Sequence, residues 1–228
     1  MSYFFESRAA PVRVVCCAVA AAAAASSLHA QTIVPNAYLH TELAPWEAFV
    51  SAAPDPIGAG APPFWQSPPD VDANPASGSA AIDLTPSAVH AASGIGQCVD
   101  FATPTSVEFL NYGTALWVPD AAMLDGGVRA VVEIRLYASA GCAGFLSGGS
   151  QGQALEAGSM SPATWYRLAD NGFVPNDAPV MAASAQVRAY LQQNGAATTQ
   201  ANYRANFDHF VLVLNSTTPV ELIRFQVD

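Results

Sequence analysis

Arg129-Ala130-Val131-Val132-Glu133-Ile134-Arg135-Leu136-Tyr137-Ala138 is the stretch on which the reading of this chain turns. Val132, Ile134 and Leu136 alternate with Glu133, Arg135 and Tyr137, and successive side chains of a β-strand point to opposite faces. The segment therefore reads as a strand with one buried apolar face and one polar face. Register is strongly specified, because a slip of one residue would bury Arg135 while exposing Ile134 and Leu136.

Working outward, the same short, β-rich pattern recurs between turn residues. Ser79 to Leu84, Gly94 to Asp100 and Ser106 to Val118 precede it, the last long enough for a bulge or kink near Asn111 to Gly113. Trp165 to Ala169, Gln186 to Gln193, Asn206 to Val213 and Val220 to Val227 follow it. From Ser51 to Gly78 the chain is dense in Pro, Gly, Ala and Ser, and Pro62-Pro63 with Pro68-Pro69 exclude helix or central strand there. The one fair helical candidate is Gln153 to Ala157. Many antiparallel strands without alternating helices predict an all-β fold, a two-sheet β-sandwich or jelly roll.

The first thirty residues read as a secretory signal peptide. Arg8 and Arg13 precede an apolar run from Val14 to Ala25, and Ser26-Ser27-Leu28-His29-Ala30 supplies small residues for cleavage. The run is too short to span a bilayer, which needs roughly 20 apolar residues. Bulky Val14 and Val15 before Cys16 and Cys17 argue against a lipid-attachment signal. Residues 31–228 are then expected to be one exported domain, secreted or periplasmic, with a Pro/Gly-rich loop at about 51–78. Losing Arg8, Arg13 and Glu6 takes the formal charge from −10 to −11, and every basic residue is arginine. Without a basic patch, nucleic acid is a poor partner, and the acidic field also disfavours anionic lipid. Charged residues make up only 11% of the chain against 51% hydrophobic ones, which suits strands and turns rather than disorder.

Two cysteines remain, Cys98 and Cys142. In an exported chain an even pair is expected to be bridged, the alternative being two free buried thiols. A structural zinc site would want four ligands, and neither cysteine has a second Cys or a His at ligand spacing.

In their order and spacing, Asn36…Leu43-Ala44-Pro45-Trp46, Ser77-Gly78-Ser79-Ala80, Gly96-Gln97-Cys98-Val99, Leu116-Trp117-Val118, Val132 to Tyr137, Trp165-Tyr166-Arg167-Leu168 and Phe207-Asp208-His209-Phe210-Val211-Leu212 resemble a galactose-binding-like jelly roll. The nearest group is the CenC-type carbohydrate-binding modules of exported bacterial proteins. The resemblance covers roughly Asn36 to Val213 and implies two antiparallel sheets, with glycans bound by some members on a concave face or a sheet edge. It also implies a structural calcium site using a late Asp, which Asp208 matches, and an early carboxylate, where this chain has His40. Glu42 is the nearest substitute, and a His suits hard Ca²⁺ poorly. Otherwise Asp208 hydrogen-bonds the returning N-terminal segment.

A saccharide offers an apolar C–H face that stacks on aromatic rings, and hydroxyls that need planar or charged partners. Periodicity sets Arg135 and Tyr137 outward from the apolar positions of their strand. It does the same for Arg188, Tyr190 and Gln192 against Val187, Ala189 and Leu191, and for Trp117 against Leu116 and Val118. Placed in one sheet, Trp117, Arg135, Tyr137, Arg188, Tyr190 and Gln192 form the expected ligand face, the alternative being rings that merely cover the sheet or lie under a loop.

Gly148-Gly149-Ser150-Gln151-Gly152 fits G-x-S-x-G, with Asp177 and His209 following in hydrolase order. That chemistry needs a strand–turn–helix elbow, which an antiparallel pattern does not supply, so the match reads as chance and the protein as non-catalytic. His29, His40, His90 and His209 show no metal-ligand spacing, and Asn215-Ser216-Thr217 is a formal glycosylation sequon. The expected function is an exported binding module for a saccharide or other extracellular ligand. The alternatives are a structural or adhesive protein with a protein partner and, more remotely, a Ser hydrolase.

Overall fold

A computed structural model describes residues 32–48, 62–86, 92–195 and 198–216. The signal sequence, the 49–61 part of the Pro-rich loop, the strand expected over Val220 to Val227 and the last residue of the sequon lie outside the described residues.

Among the described residues ten strands follow in chain order: β1 (Glu47–Ala48), β2 (Phe64–Gln66), β3 (Ser79–Leu84), β4 (Ala92–Val107), β5 (Leu110–Trp117), β6 (Asp125–Ser139), β7 (Ala143–Glu156), β8 (Trp165–Phe173), β9 (Val180–Gln193) and β10 (Tyr203–Leu214). They form two five-stranded sheets, one ordered β1-β4-β9-β6-β7 and the other β2-β3-β10-β5-β8, with antiparallel pairing throughout. The architecture is the expected antiparallel β-sandwich. Its core lies between the sheets, as the alternation dictates. Val132, Ile134 and Leu136 of β6 and Val187, Ala189 and Leu191 of β9 share one buried cluster with Ile82 of β3, Leu116 of β5 and Phe207, Phe210 and Leu212 of β10.

The N-terminal segment is tied across β10. Ile33 N donates to Leu212 O and Phe210 N to Ala37 O, while the Trp46 and Phe210 rings lie 4.0 Å apart. The register of β10 against β5 shifts between Asp208 and Val211, a bulge at which His209 has φ of 49°.

Three sequence expectations need correction. Gln153 to Ala157 is not a helix; Ala154 pairs with Arg129 and Gln153 with Ala130, so the segment closes β7. Its Gln and Gly neighbours have little intrinsic preference to oppose the hydrogen bonds that β6 offers. Ser106 to Val118 is not one kinked strand. It breaks at Glu108–Phe109, where the Asn215 side chain accepts from Glu108 N and donates to Ser106 O, and the two halves enter different sheets. β7 was missed entirely, because a Gly- and Ser-rich run carries no apolar alternation.

Within the Pro-rich stretch, β2 fits between Pro63 and Pro68 only as a three-residue edge strand.

Candidate functional site

The outward face of the β1-β4-β9-β6-β7 sheet carries a row of polar side chains over its two central strands. Directly opposite one another stand Arg129 and Gln192, Val131 and Tyr190, Glu133 and Arg188, Arg135 and Gln186, Tyr137 and Ser184. Glu133 is the hub. Its Oε1 accepts from Arg135 Nε at 2.7 Å and its Oε2 from Arg188 Nη1 at 3.5 Å. Gln186 Oε1 accepts from both Arg188 Nε, at 2.8 Å, and Tyr137 OH, at 3.2 Å. Farther along, Arg129 reaches Gln192 Oε1 through Nε and Nη2.

Burial pulls the Arg135 guanidinium down, but the hydrogen bond and charge of Glu133 outweigh it and hold Arg135 above the usual arginine range. For Arg188 burial wins, and its proton affinity falls. Burial, aided by the Glu133 charge, pushes the Tyr190 phenol up to about 12. All three therefore keep their ordinary charge states near neutrality, cations and a neutral phenol.

The strands on either side let these side chains lie down. Gly94 and Gly96 of β4 stand opposite Tyr190 and Arg188. A Cβ on Gly94 would fall 2.3 Å from the Tyr190 Cβ and 2.3 Å from Ala189 O, so only glycine fits. On β7, Gly148 stands opposite Arg135 and Ser150 opposite Glu133. Phe145, paired with Tyr137, projects at the end of the row with 60% of its surface exposed. Its ring meets Tyr137 edge to face, and the Arg135 guanidinium lies 5.9 Å from its centroid. Between them opens a cleft of about 330 Å³ lined by Glu133, Arg135, Phe145, Gly148, Gly149 and Ser150.

Five of the six expected site residues, Arg135, Tyr137, Arg188, Tyr190 and Gln192, thus share one face. Trp117 does not. It belongs to β5 of the other sheet, opposite Asn206 and Trp165, and faces the far side of the molecule. Periodicity separates inside from outside but cannot say which of two sheets a strand joins, and the chain crosses between sheets from β5 to β6. Two of the five form floor rather than contact surface, since Tyr137 is 7% exposed and Arg188 9%. Phe145 went unnoticed as a lone aromatic in a glycine-rich run. The signal that would have found it is the β6–β7 hairpin, whose tight turn brings Phe145 across from Tyr137.

Cys98 and Cys142 are disulfide-bonded, with Cα atoms 5.9 Å apart, and tie β4 to the β6–β7 turn at one end of this face. Gly141 N donates to Asp100 Oδ1 and Cys142 N to the Ser184 hydroxyl, so the turn is held by hydrogen bonds as well.

Asp208 is fully buried on the β10 bulge. Its two carboxylate oxygens accept from Val71 N and His209 N. Burial pushes its pKa up to about 8, against those two hydrogen bonds and with the help of the Asp70 and Asp72 charges. Among the described residues no three His, Cys, Asp or Glu side chains converge on a point that could hold a metal. Both Asp208 oxygens already serve backbone amides, so this donor set does not fit a calcium ion. His209 Nε2 lies 2.9 Å from Asp72, in the sheet opposite Ser150. Ser150 itself sits within antiparallel β7, away from any strand-to-helix elbow.

No protein-family model matches the chain, and no curated protein matches it. Among solved structures, that of TmCBM61 in complex with β-1,4-galactotriose superposes with a TM-score of 0.50 at 12% identity, over 81% of this chain and 99% of that one. The likeness is one of fold, a two-sheet antiparallel β-sandwich. A putative sugar-binding protein from Bacteroides thetaiotaomicron also matches at 11% identity and a TM-score of 0.49, over 81% of this chain and 100% of that one. So does the enzymatically active domain of bacteriophage CBA120 tailspike protein 4, at 13% and 0.47, over 80% of this chain and 21% of that one. At such identities what the chains share is the fold. Among the described residues no helix is long and apolar enough to cross a membrane.

Proposed function

We propose that this chain is an exported, non-catalytic module that binds a saccharide on the outward face of the β4-β9-β6-β7 sheet. The observation that carries the reading is the cleft between β6 and β7. It sets one exposed aromatic ring, Phe145, beside a carboxylate, a guanidinium and a hydroxyl: Glu133, Arg135 and Ser150. A pyranose stacked on Phe145 would direct its equatorial hydroxyls at those three groups. The cleft is at the small end of the roughly 300–1,000 Å³ typical of small-molecule sites, which suits a sugar residue and open ends for its neighbours. A tightly hydrogen-bonded floor costs little further ordering when a ligand arrives. The leader-like N-terminus and the Cys98–Cys142 bridge agree with export.

Glycoside hydrolysis needs two carboxyl groups flanking the bond to be cleaved. Among the described residues this cleft has one, and it is held between Arg135 and Arg188. That lining supports binding without turnover. Because Asp208 lies in the other sheet, calcium has no part in the proposal, and retention in EGTA should equal retention in added CaCl₂.

The test is retention of the mature protein on insoluble polysaccharides and a glycan array, repeated with Arg135→Ala and Phe145→Ala. Retention that falls in both variants, with unchanged circular dichroism, is the expected result. Failure of the unmodified protein to bind any glycan offered would overturn the proposal in favour of a structural or protein-binding role.

A further inference from the structure

The displaced tryptophan belongs to a second, larger cleft. On the outward face of the β2-β3-β10-β5-β8 sheet, Trp117 stands opposite Trp165, their ring centroids 6.4 Å apart, and both rings are half-buried. Beside Trp117 opens a cavity of about 550 Å³ whose polar wall includes Gln66, Asp83, Asp120, Asn202 and Arg204. Arg204 is committed to Asp83 through Nε and Nη2 at 2.6 and 2.7 Å, and its guanidinium lies 5.2 Å from the Phe64 centroid. Asn202 accepts from the Thr85 hydroxyl at 2.6 Å. Next to this wall, Asn206 pairs with Trp117 across the ladder and donates through Nδ2 to Gln66 and Ser79. Asn206 is fully buried, and its Oδ1 accepts no hydrogen bond among the described residues. An orphaned buried acceptor is uncommon and marks a place where a donor is owed.

We propose that this cleft is a second saccharide site, for a neutral pyranose residue, on the opposite side of the sandwich from the first. Charge selects the ligand class. Two carboxylates, Asp83 and Asp120, line the cavity against one guanidinium already neutralised by Asp83, so an anionic ligand would meet net negative charge. A neutral sugar meets none of that penalty. It brings a C–H face for Trp117 and hydroxyls that can donate to Asp83 and Asp120 on the cavity wall. With both clefts filled the module is bivalent, and its two sites point apart, a geometry that bridges glycan chains rather than grasping one.

The sequence has four tryptophans, and the first cleft contains none of them. Trp46 is buried on Phe210 and Trp65 donates to Leu39 O beneath β3, so Trp117 and Trp165 are the natural reporters of the second cleft. The experiment titrates the full mature chain with β-1,4-galactotriose, cellotriose and β-1,4-xylotriose while following tryptophan emission. At least one of these sugars should shift the emission of both the unmodified protein and Phe145→Ala. Trp117→Ala and Asn202→Ala should each weaken that response roughly tenfold. Asn202→Ala removes only a surface side chain, which guards against misfolding of the tryptophan variant. Silence from all three sugars in the unmodified protein overturns the second site, as does a shift that survives in both variants. Loss of polysaccharide retention in Phe145→Ala with a silent fluorescence titration would leave the first site standing alone. A fluorescence shift with no effect of Phe145→Ala on retention would do the reverse.

Discussion

Replacing Phe145 with alanine should weaken saccharide retention about tenfold and leave the fold nearly untouched. An aromatic side chain presents roughly 150–250 Å² for burial, and 60% of Phe145 is open to solvent. About 120 Å² is therefore available to a ligand. A pyranose covering half of it removes ~60 Å² from water, worth about 1.5 kcal/mol at 25 cal/mol per Å², or about tenfold in affinity. The covered part of the ring, ~80 Å², sets an upper limit of about 2 kcal/mol on the cost to the fold, since the unfolded chain also hides some apolar surface. The lost contacts are the edge-to-face approach to Tyr137 and the Arg135 guanidinium, both at the margin of the sheet. Depletion of protein from solution by insoluble polysaccharide gives the binding ratio, and thermal melts give the stability. Retention within twofold of the unmodified protein would refute the assignment of Phe145 as the stacking ring. A loss of retention matched by a collapse in Tm would refute the claim that the ring serves ligand rather than fold.

Reducing the Cys98–Cys142 bridge, or changing both residues to serine, should cost about 4 kcal/mol for a loop of 44 positions, read as a lower urea midpoint. Glu133→Gln should destabilise the fold by about 2 kcal/mol, because it removes the carboxylate from Arg135 and from the largely buried Arg188, whereas Arg135→Ala at the more exposed end should cost less. The Asp208 pKa is raised on folding from 3.8 to about 8, so the folded state holds a proton that the unfolded state has released between those values. Stability should therefore be full below about pH 4, fall as pH rises toward 8 and level off above it. Asp208→Asn should flatten that slope in melts run across the range, and an unchanged slope would show that Asp208 titrates normally.

The alternation in β6 was enough to place Arg135 and Tyr137 outward, and that in β9 enough for Arg188, Tyr190 and Gln192. The reason is physical: each register slip would bury a guanidinium and expose aliphatic side chains. Which strands are neighbours is a different kind of information. β9 lies between β4 and β6 although 40 residues separate the end of β6 from its start, and no local pattern encodes that adjacency. The error over Trp117 follows directly, for its outward orientation was right and its sheet was wrong.

β7 marks the sharper limit. Between Leu146 and Leu155 its residues are Gly, Ser, Gln and Ala alone, a composition that looks like a loop because that stretch lacks large apolar side chains. Yet that lack is what opens the candidate site. Gly148 stands beside Arg135, and a Cβ there would come within 2.7 Å of Ile134 O and 3.3 Å of the Arg135 side chain. Large residues along β7 would have announced a strand and at the same time filled the cleft that Phe145 borders. A binding face built by omission on an edge strand is therefore hardest to see in sequence where it is most open in structure, and the hairpin register from β6 is the information that recovers it.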